Sequence, residues 1–133
     1  MAPGPRSRSR RTGEGAVAYG AQAYEDMVRV RLEGLVELLG SNRTASFLGV
    51  SKSQPSRWRS GDERIGSSSA QSVLDLDYVI ARLLGQMEPS AIENWMLGSN
   101  PWLGSARPID VLHRRGPLAI VPAVEAEEQG AYF

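Results

Sequence analysis

Apolar residues recur at three- and four-residue intervals along most of the chain. No stretch alternates with period two over a β-branched run, so the pattern predicts helices and no sheet. In residues 21–39, Tyr24, Met27, Val28, Leu32, Leu35, Val36 and Leu39 keep the helical spacing while Arg29, Arg31, Glu33 and Glu37 fall elsewhere. That predicts an amphipathic helix, closed by Gly40. Two short helices are expected at 42–48 and 51–60, parted only by Gly49 and Val50. Ser41 or Asn42 is a candidate cap for the first, and the Ser51 hydroxyl for the second.

A longer helix is expected over 68–87, with Val73, Leu76, Ile80, Leu83, Leu84 and Met87 on one stripe. Pro89 stands where a first turn tolerates proline and opens a short helix to Leu97 that carries Ile92, Trp95 and Met96. After Gly98, residues 99–107 hold the turn formers Pro101 and Gly104 and read as a structured loop. Pro108 then begins a short helix ending near Leu112. The segment 117–128 is apolar at Leu118, Ile120, Val121 and Val124 but contains Pro122, so it is kinked or begins late. Gly130 ends it and leaves Ala131, Tyr132 and Phe133 as an aromatic tail. The fold class is therefore all-α, with 21–66 as a helix-turn-helix domain and 67–133 as a small helical domain.

A length of 133 residues limits the chain to one compact unit or two very small ones, which excludes a large multidomain enzyme. The first twenty residues hold four arginines (Arg6, Arg8, Arg10, Arg11), four glycines and two prolines, and are expected to form a disordered basic arm. They lack the apolar core of a secretory signal, so cytoplasmic residence is the default expectation. No apolar run approaches the roughly 18 residues that span a bilayer, so no membrane role is expected. The chain has no cysteine and a single histidine, His113. Disulfides, thiol catalysis and multi-histidine metal sites are closed to it; neither metal nor cofactor is expected, and no nucleophile, base and orienting residue stand together to make an enzyme.

The net charge is zero, yet residues 1–66 hold 11 basic and 7 acidic side chains, for +4, and residues 67–133 hold 4 and 8, for −4. An anionic partner for the first half and a different partner for the second follow naturally from that asymmetry. The first half also carries the makings of a DNA-reading helix-turn-helix: Ala45 small enough for close helix approach, Gly49 at the turn, Val50 beside it, and Trp58 as the inward anchor of the second helix. Pro55 departs from the β-branched residue or leucine usual there, but within the first turn its missing N–H costs little. With Trp58 inward, Lys52, Ser53, Gln54, Ser56 and Arg57 face outward, joined by Arg43 and Arg59 as cations. Gln54 suits adenine, Arg57 guanine or phosphate, and the serines phosphate. The competing expectation is the polar face of an ordinary helical hairpin, or a degenerate helix-turn-helix that no longer binds DNA.

The string at 100–112, Asn-Pro-Trp-Leu-Gly-Ser-Ala-Arg-Pro-Ile-Asp-Val-Leu, is the most distinctive in the chain. Together with the helix-turn-helix pattern it resembles antitoxins of the Xre/MbcA/ParS family, over about residues 22–133. The resemblance implies that Asn100, Pro101, Leu103, Gly104, Pro108, Asp110 and Leu112 match the signature of a toxin-binding domain. It implies as partner a RES-domain toxin that consumes NAD⁺, masked in part by the antitoxin's C-terminal end, here Gly130, Ala131, Tyr132 and Phe133. It also implies operon repression through operator DNA, for which a homodimer is expected. A stand-alone transcriptional regulator with a C-terminal dimerisation domain is the alternative.

From the residues themselves, Glu125, Glu127 and Glu128 read either as an acidic tail suited to a cationic nucleotide pocket or as a solvated helix face. Trp102 reads as facing a partner or as buried, Trp95 as core, and His113 as a surface residue near a helix end.

Overall fold

The computed structural model describes the backbone of residues 3–130 and the side chains of residues 20–130. Seven α-helices follow one another: α1 (Pro3–Leu39), α2 (Ser41–Leu48), α3 (Gln54–Ser60), α4 (Ser67–Leu83), α5 (Pro89–Leu97), α6 (Pro108–Arg115) and α7 (Val121–Gln129). Two 3-10 turns, Pro101–Leu103 and Pro117–Ile120, precede α6 and α7. No strand occurs among the described residues, so the all-helical expectation holds.

Helix α1 starts at Pro3, not near residue 21, so its backbone runs through the segment expected to be a disordered arm. Once a packed helix exists, each added residue contributes a hydrogen bond without a new nucleus, and propagation is far easier than initiation. The Arg6, Arg8, Arg10 and Arg11 side chains lie outside the described residues, as do Ala131, Tyr132 and Phe133.

The core is a single cluster that ignores the boundary expected at residue 66. Val28, Leu32 and Leu35 of α1 meet Phe47 of α2, Trp58 of α3, Val73, Leu76, Ile80 and Leu83 of α4, and Ile92 and Met96 of α5. Ile120 and Val124, from the turn before α7 and from α7 itself, complete it. Helices as short as α2, α3 and α6 are marginal by themselves in water, so their existence depends on this shared burial. Helix α4 lies along α1 and also touches α2 and α7, which makes it the spine between the two halves.

Several boundaries differ from expectation for local reasons. Helix α4 ends at Leu83, and Leu84 is 44 % exposed; the Met87 amide donates back to the Leu83 carbonyl as the chain turns through Gly85. That turn lets Glu88 adopt the extended backbone required before a proline. Pro122 sits in the first turn of α7, so this helix begins late and is not kinked. Helix α6 continues past Leu112 to Arg115, where Gly116 with φ 84° ends it.

Thr44 is wholly buried, and its hydroxyl lies 2.8 Å from the Gly40 carbonyl and 3.2 Å from that of Leu35, tying α2 to the end of α1. Replacing Thr44 with valine keeps the shape and removes the donor; urea unfolding should show a loss of about 1–2 kcal/mol. His113 is exposed in the last turn of α6, as expected, and it also donates from Nε2 to the Phe47 carbonyl and links α6 to α2.

Candidate functional site

Two surfaces carry the side chains singled out by sequence. The first is built on α2 and α3. Helix α2 ends on Gly49, whose φ of 73° places it in the left-handed region, and the Val50 amide donates 3.0 Å to the Ala45 carbonyl. This closes α2 and reverses the chain; a side chain with a Cβ is strained at such a φ, which explains the glycine. Ala45 is buried, as expected for close approach, and Trp58 is 4 % exposed.

Helix α3 begins at Gln54, later than expected, with no side-chain cap. Instead of a Ser51 hydroxyl, the Ser51 carbonyl accepts from the Gln54 amide at 3.0 Å and makes a turn. Pro55 is buried in the first turn, where it adds apolar contact at no hydrogen-bond cost. Lys52, Ser53, Ser56, Arg57 and Arg59 are exposed, and Gln54 is half-buried.

The outward face is partly engaged with itself. Arg57 donates to Ser53 Oγ at 2.9 Å and to Gln54 Oε1 at 3.2 Å, and lies 3.6 Å from the Glu63 carboxylate. The Gln54 amide also donates to Glu63. A phosphate or base edge would therefore compete with Glu63 for these two side chains. Arg43 does not join them: its guanidinium lies 3.4 Å from Glu93 on α5 and stacks over the Phe47 ring.

In place of Arg43, the fold brings up two arginines that sequence reasoning did not assign. Arg29, Arg59 and Arg64 line an open cleft of about 570 Å³ with Gln22, Glu25, Ser60 and Gly61. Arg29 donates at 3.0 Å to the Trp58 carbonyl and so places its charge at the C-terminal end of α3, where the helix dipole favours a cation. Glu25 neutralises part of the cluster, 3.0 Å from Arg29 and 3.3 Å from Arg64, yet Arg64 remains 82 % exposed. The signal for Arg29 was in the chain as an arginine one residue from the buried Val28; only the α1–α3 crossing makes it useful.

The second surface is the loop between α5 and α6. Asn100 is buried, and its Oδ1 accepts from the Trp102 amide at 2.9 Å. The Asn100 carbonyl accepts from the amides of Leu103 and Ser105, and its own amide donates to the Ala106 carbonyl. Gly104 and Ser105 both take left-handed backbone, with φ of 64° and 70°. Asn100 is thus the loop's internal organiser, unavailable to a partner, and Leu103 leans on the core. Pro101 and Gly104 are exposed, and Trp102 stands out at 52 % exposure. Leu118, in the other 3-10 turn packed on α7, is 81 % exposed. Asp110, in the first turn of α6, is gripped by Arg107 at 2.8 and 3.0 Å, which holds its carboxyl below the ordinary value.

The acidic segment is less free than its sequence suggests. Glu127 accepts from the Trp95 indole N–H at 2.7 Å, fastening α7 to α5. Glu128 is held by Arg82 of α4 through both carboxylate oxygens. Glu125 alone of the three has no hydrogen bond or ion pair among the described residues, and Gly130 caps α7 with φ 65°. The Arg82 N–H donors hold the Glu128 carboxyl below its ordinary value of 4.5. A lowered carboxyl contributes stability above the unfolded value that vanishes as pH falls through the folded one. Unfolding midpoints should therefore drop below about pH 4.5, and Glu128→Gln should flatten that drop without abolishing it, since Asp110 titrates in the same window.

Among the described residues, no group of His, Asp and Glu has the arrangement of a metal site, and no helix is long and apolar enough to cross a membrane. No family model matches the chain, and neither a curated protein nor a solved structure is significantly similar to it.

Proposed function

We propose that this protein is an antitoxin that binds and occludes a RES-domain toxin acting on NAD⁺, and represses its own operon through α2 and α3 acting as a helix-turn-helix. The reading rests on the resemblance of residues 22–133 to the Xre/MbcA/ParS family, and one observation carries it furthest. A large aromatic side chain, Trp102, is half-exposed on a loop that is held rigid by its own hydrogen bonds. Exposed tryptophans on pre-ordered backbone are what protein interfaces use as anchors, because little entropy is lost on docking. Pro101 and Gly104 flank it, while Asn100 and Leu103 shape it from within. The tail formed by Gly130, Ala131, Tyr132 and Phe133 is proposed to complete the contact. The protein is a non-catalytic partner in this scheme.

On the DNA side, Lys52, Ser53, Ser56 and Arg59 are open to solvent, with Gln54 and Arg57 reachable once Glu63 is displaced. Arg59 lines one cleft beside α3 with Arg29 and Arg64, and the three are proposed to clamp phosphates. Replacing Arg59 with alanine should weaken binding to all duplex sequences alike and reduce the steepness of log K against log salt by about one.

Co-expression with a RES-domain protein encoded beside this gene tests the main claim. A stable complex and suppressed NAD⁺ loss are expected; no complex overturns it. The engagement of Glu127 and Glu128 inside the subunit favours the second reading, a stand-alone regulator, because it leaves little of the acidic tail for a toxin. That reading requires tight operator binding with no such neighbour.

A further inference from the structure

Among the described residues, nothing covers one face of α1. Gly20, Ala23, Met27, Val30 and Gly34 are all exposed, with Met27 at 38 % and Val30 at 65 %. Their spacing is three, four, three, four, the repeat that places residues on one seam of a two-helix coiled coil. The buried stripe of Val28, Leu32, Leu35 and Leu39 lies on another side of the same helix. One α1 therefore carries two apolar faces, of which the fold uses one. A Cβ added at Gly20 or Gly34 would meet nothing within 4 Å. Glycine inside a helix weakens it relative to alanine, and no contact among the described residues requires it at either position.

The flanking charges specify what covers this face. In heptad terms Gly20, Met27 and Gly34 take the first core position and Ala23 and Val30 the second. Asp26 and Glu33 then precede the core positions on one flank, and Tyr24 and Arg31 follow them on the other. In a parallel pair each residue of the first flank faces the residue five positions on in its neighbour, which sets Asp26 of one copy against Arg31 of the other, twice by symmetry. An antiparallel pair would set Asp26 against Glu33, carboxylate on carboxylate. The current partners of these groups lie on the subunit's own surface: Asp26, 61 % exposed, accepts from the Gln22 amide at 2.9 Å and lies 3.5 Å from Arg29, and Arg31, 55 % exposed, lies 3.7 Å from Asp77. Exposed pairs of this kind exchange at small cost.

We propose that two copies of this chain associate through α1, side by side, parallel and in register, with Met27 and Val30 as the bulky centre of the seam. The interface stands or falls independently of the toxin and operator readings. Two large apolar residues per copy between small ones make a modest contact, so the dimer belongs in the micromolar range, not the nanomolar.

Sedimentation of the full chain across micromolar concentrations tests it. A monomer–dimer equilibrium is expected, and a monomer throughout overturns the proposal. Met27→Glu with Val30→Glu should raise the dissociation constant at least about tenfold, since like charges would be buried against each other. Both positions face solvent, so helicity and a melting temperature that match those of the parent, measured well below the parent's dissociation constant, will show an intact subunit. A dimer that survives the pair of substitutions overturns the seam.

Orientation is read from Gly34→Cys, which introduces the sole thiol of a chain that has none. In a parallel pair the two thiols meet and oxidation should link the dimer covalently. In an antiparallel pair centred between Met27 and Val30 they sit about 16 Å apart at 1.5 Å per residue, so absence of the cross-link overturns the parallel register.

Discussion

Replacing Trp58 with alanine is expected to cost about 3–5 kcal/mol of folding stability, a large share of the roughly 5–15 kcal/mol that holds a domain of this size together. The indole is almost fully buried in a cluster with Phe47, Val28 and Ile65, and no other residue of α3 except Pro55 reaches the interior. Helix α3 has seven residues, too few to persist without that anchor. The loss should therefore appear twice: as a lower urea midpoint for the whole chain, and as disappearance of duplex DNA binding even at temperatures where the remaining helices stay folded. A loss under about 1 kcal/mol would mean that something other than Trp58 docks α3.

Replacing Trp102 with alanine is expected to do the opposite. Half-exposed and outside the core, it should change stability by no more than about 0.5 kcal/mol, while weakening the complex with the toxin by at least about 2 kcal/mol, near thirtyfold in affinity. Asn100→Ala is the instructive contrast. Its side chain holds the loop from inside through the Trp102 amide, so both stability and binding should fall together. Calorimetric melting paired with titration of the purified toxin separates the two cases. Equal affinity for Trp102→Ala and the parent would remove the loop from the interface.

The helical periodicities were legible wherever one stripe of a helix is apolar and the rest polar. Val73, Leu76, Ile80 and Leu83 are buried as their spacing predicts, and the proline positions 89, 108 and 122 all fall in first turns. Where a helix has apolar residues all round, spacing cannot say which face turns inward. Tyr24 and Met27 share the helical interval with Val28 and Leu32 yet remain exposed, and Leu84 continues the α4 stripe past the point where the chain must bend toward Pro89. Capping was misjudged for a related reason. A serine at 51 is chemically able to cap, but the turn through 51–54 uses its carbonyl, and α3 starts three residues on.

The candidate site was legible in residue type more than in role. Ser56 is exposed as its position opposite Trp58 requires, and Lys52, before α3, and Arg59, beside Trp58, are exposed as well. Arg43 was assigned to the same face by charge and nearness in sequence, and is instead drawn to Glu93, fifty residues away. Asn100 reads as a binding residue within a distinctive motif, whereas its amide side chain satisfies the backbone of its own loop.

By itself the sequence determined the all-helical class, the approximate start of each helix from α2 onward, and the inward positions of Trp58 and the α4 stripe. Those depend on backbone propensity and on periodic burial, both of which act over a few neighbouring residues. Only the tertiary structure decided that the two halves share one core, that Arg29 reaches the end of α3, that Glu127 and Glu128 are held by Trp95 and Arg82, and which face of α1 is left open. Each of these joins groups some thirty or more positions apart, or depends on what packs against a helix. The geometry that unites them is set by how the helices cross, which no local interval along the chain encodes.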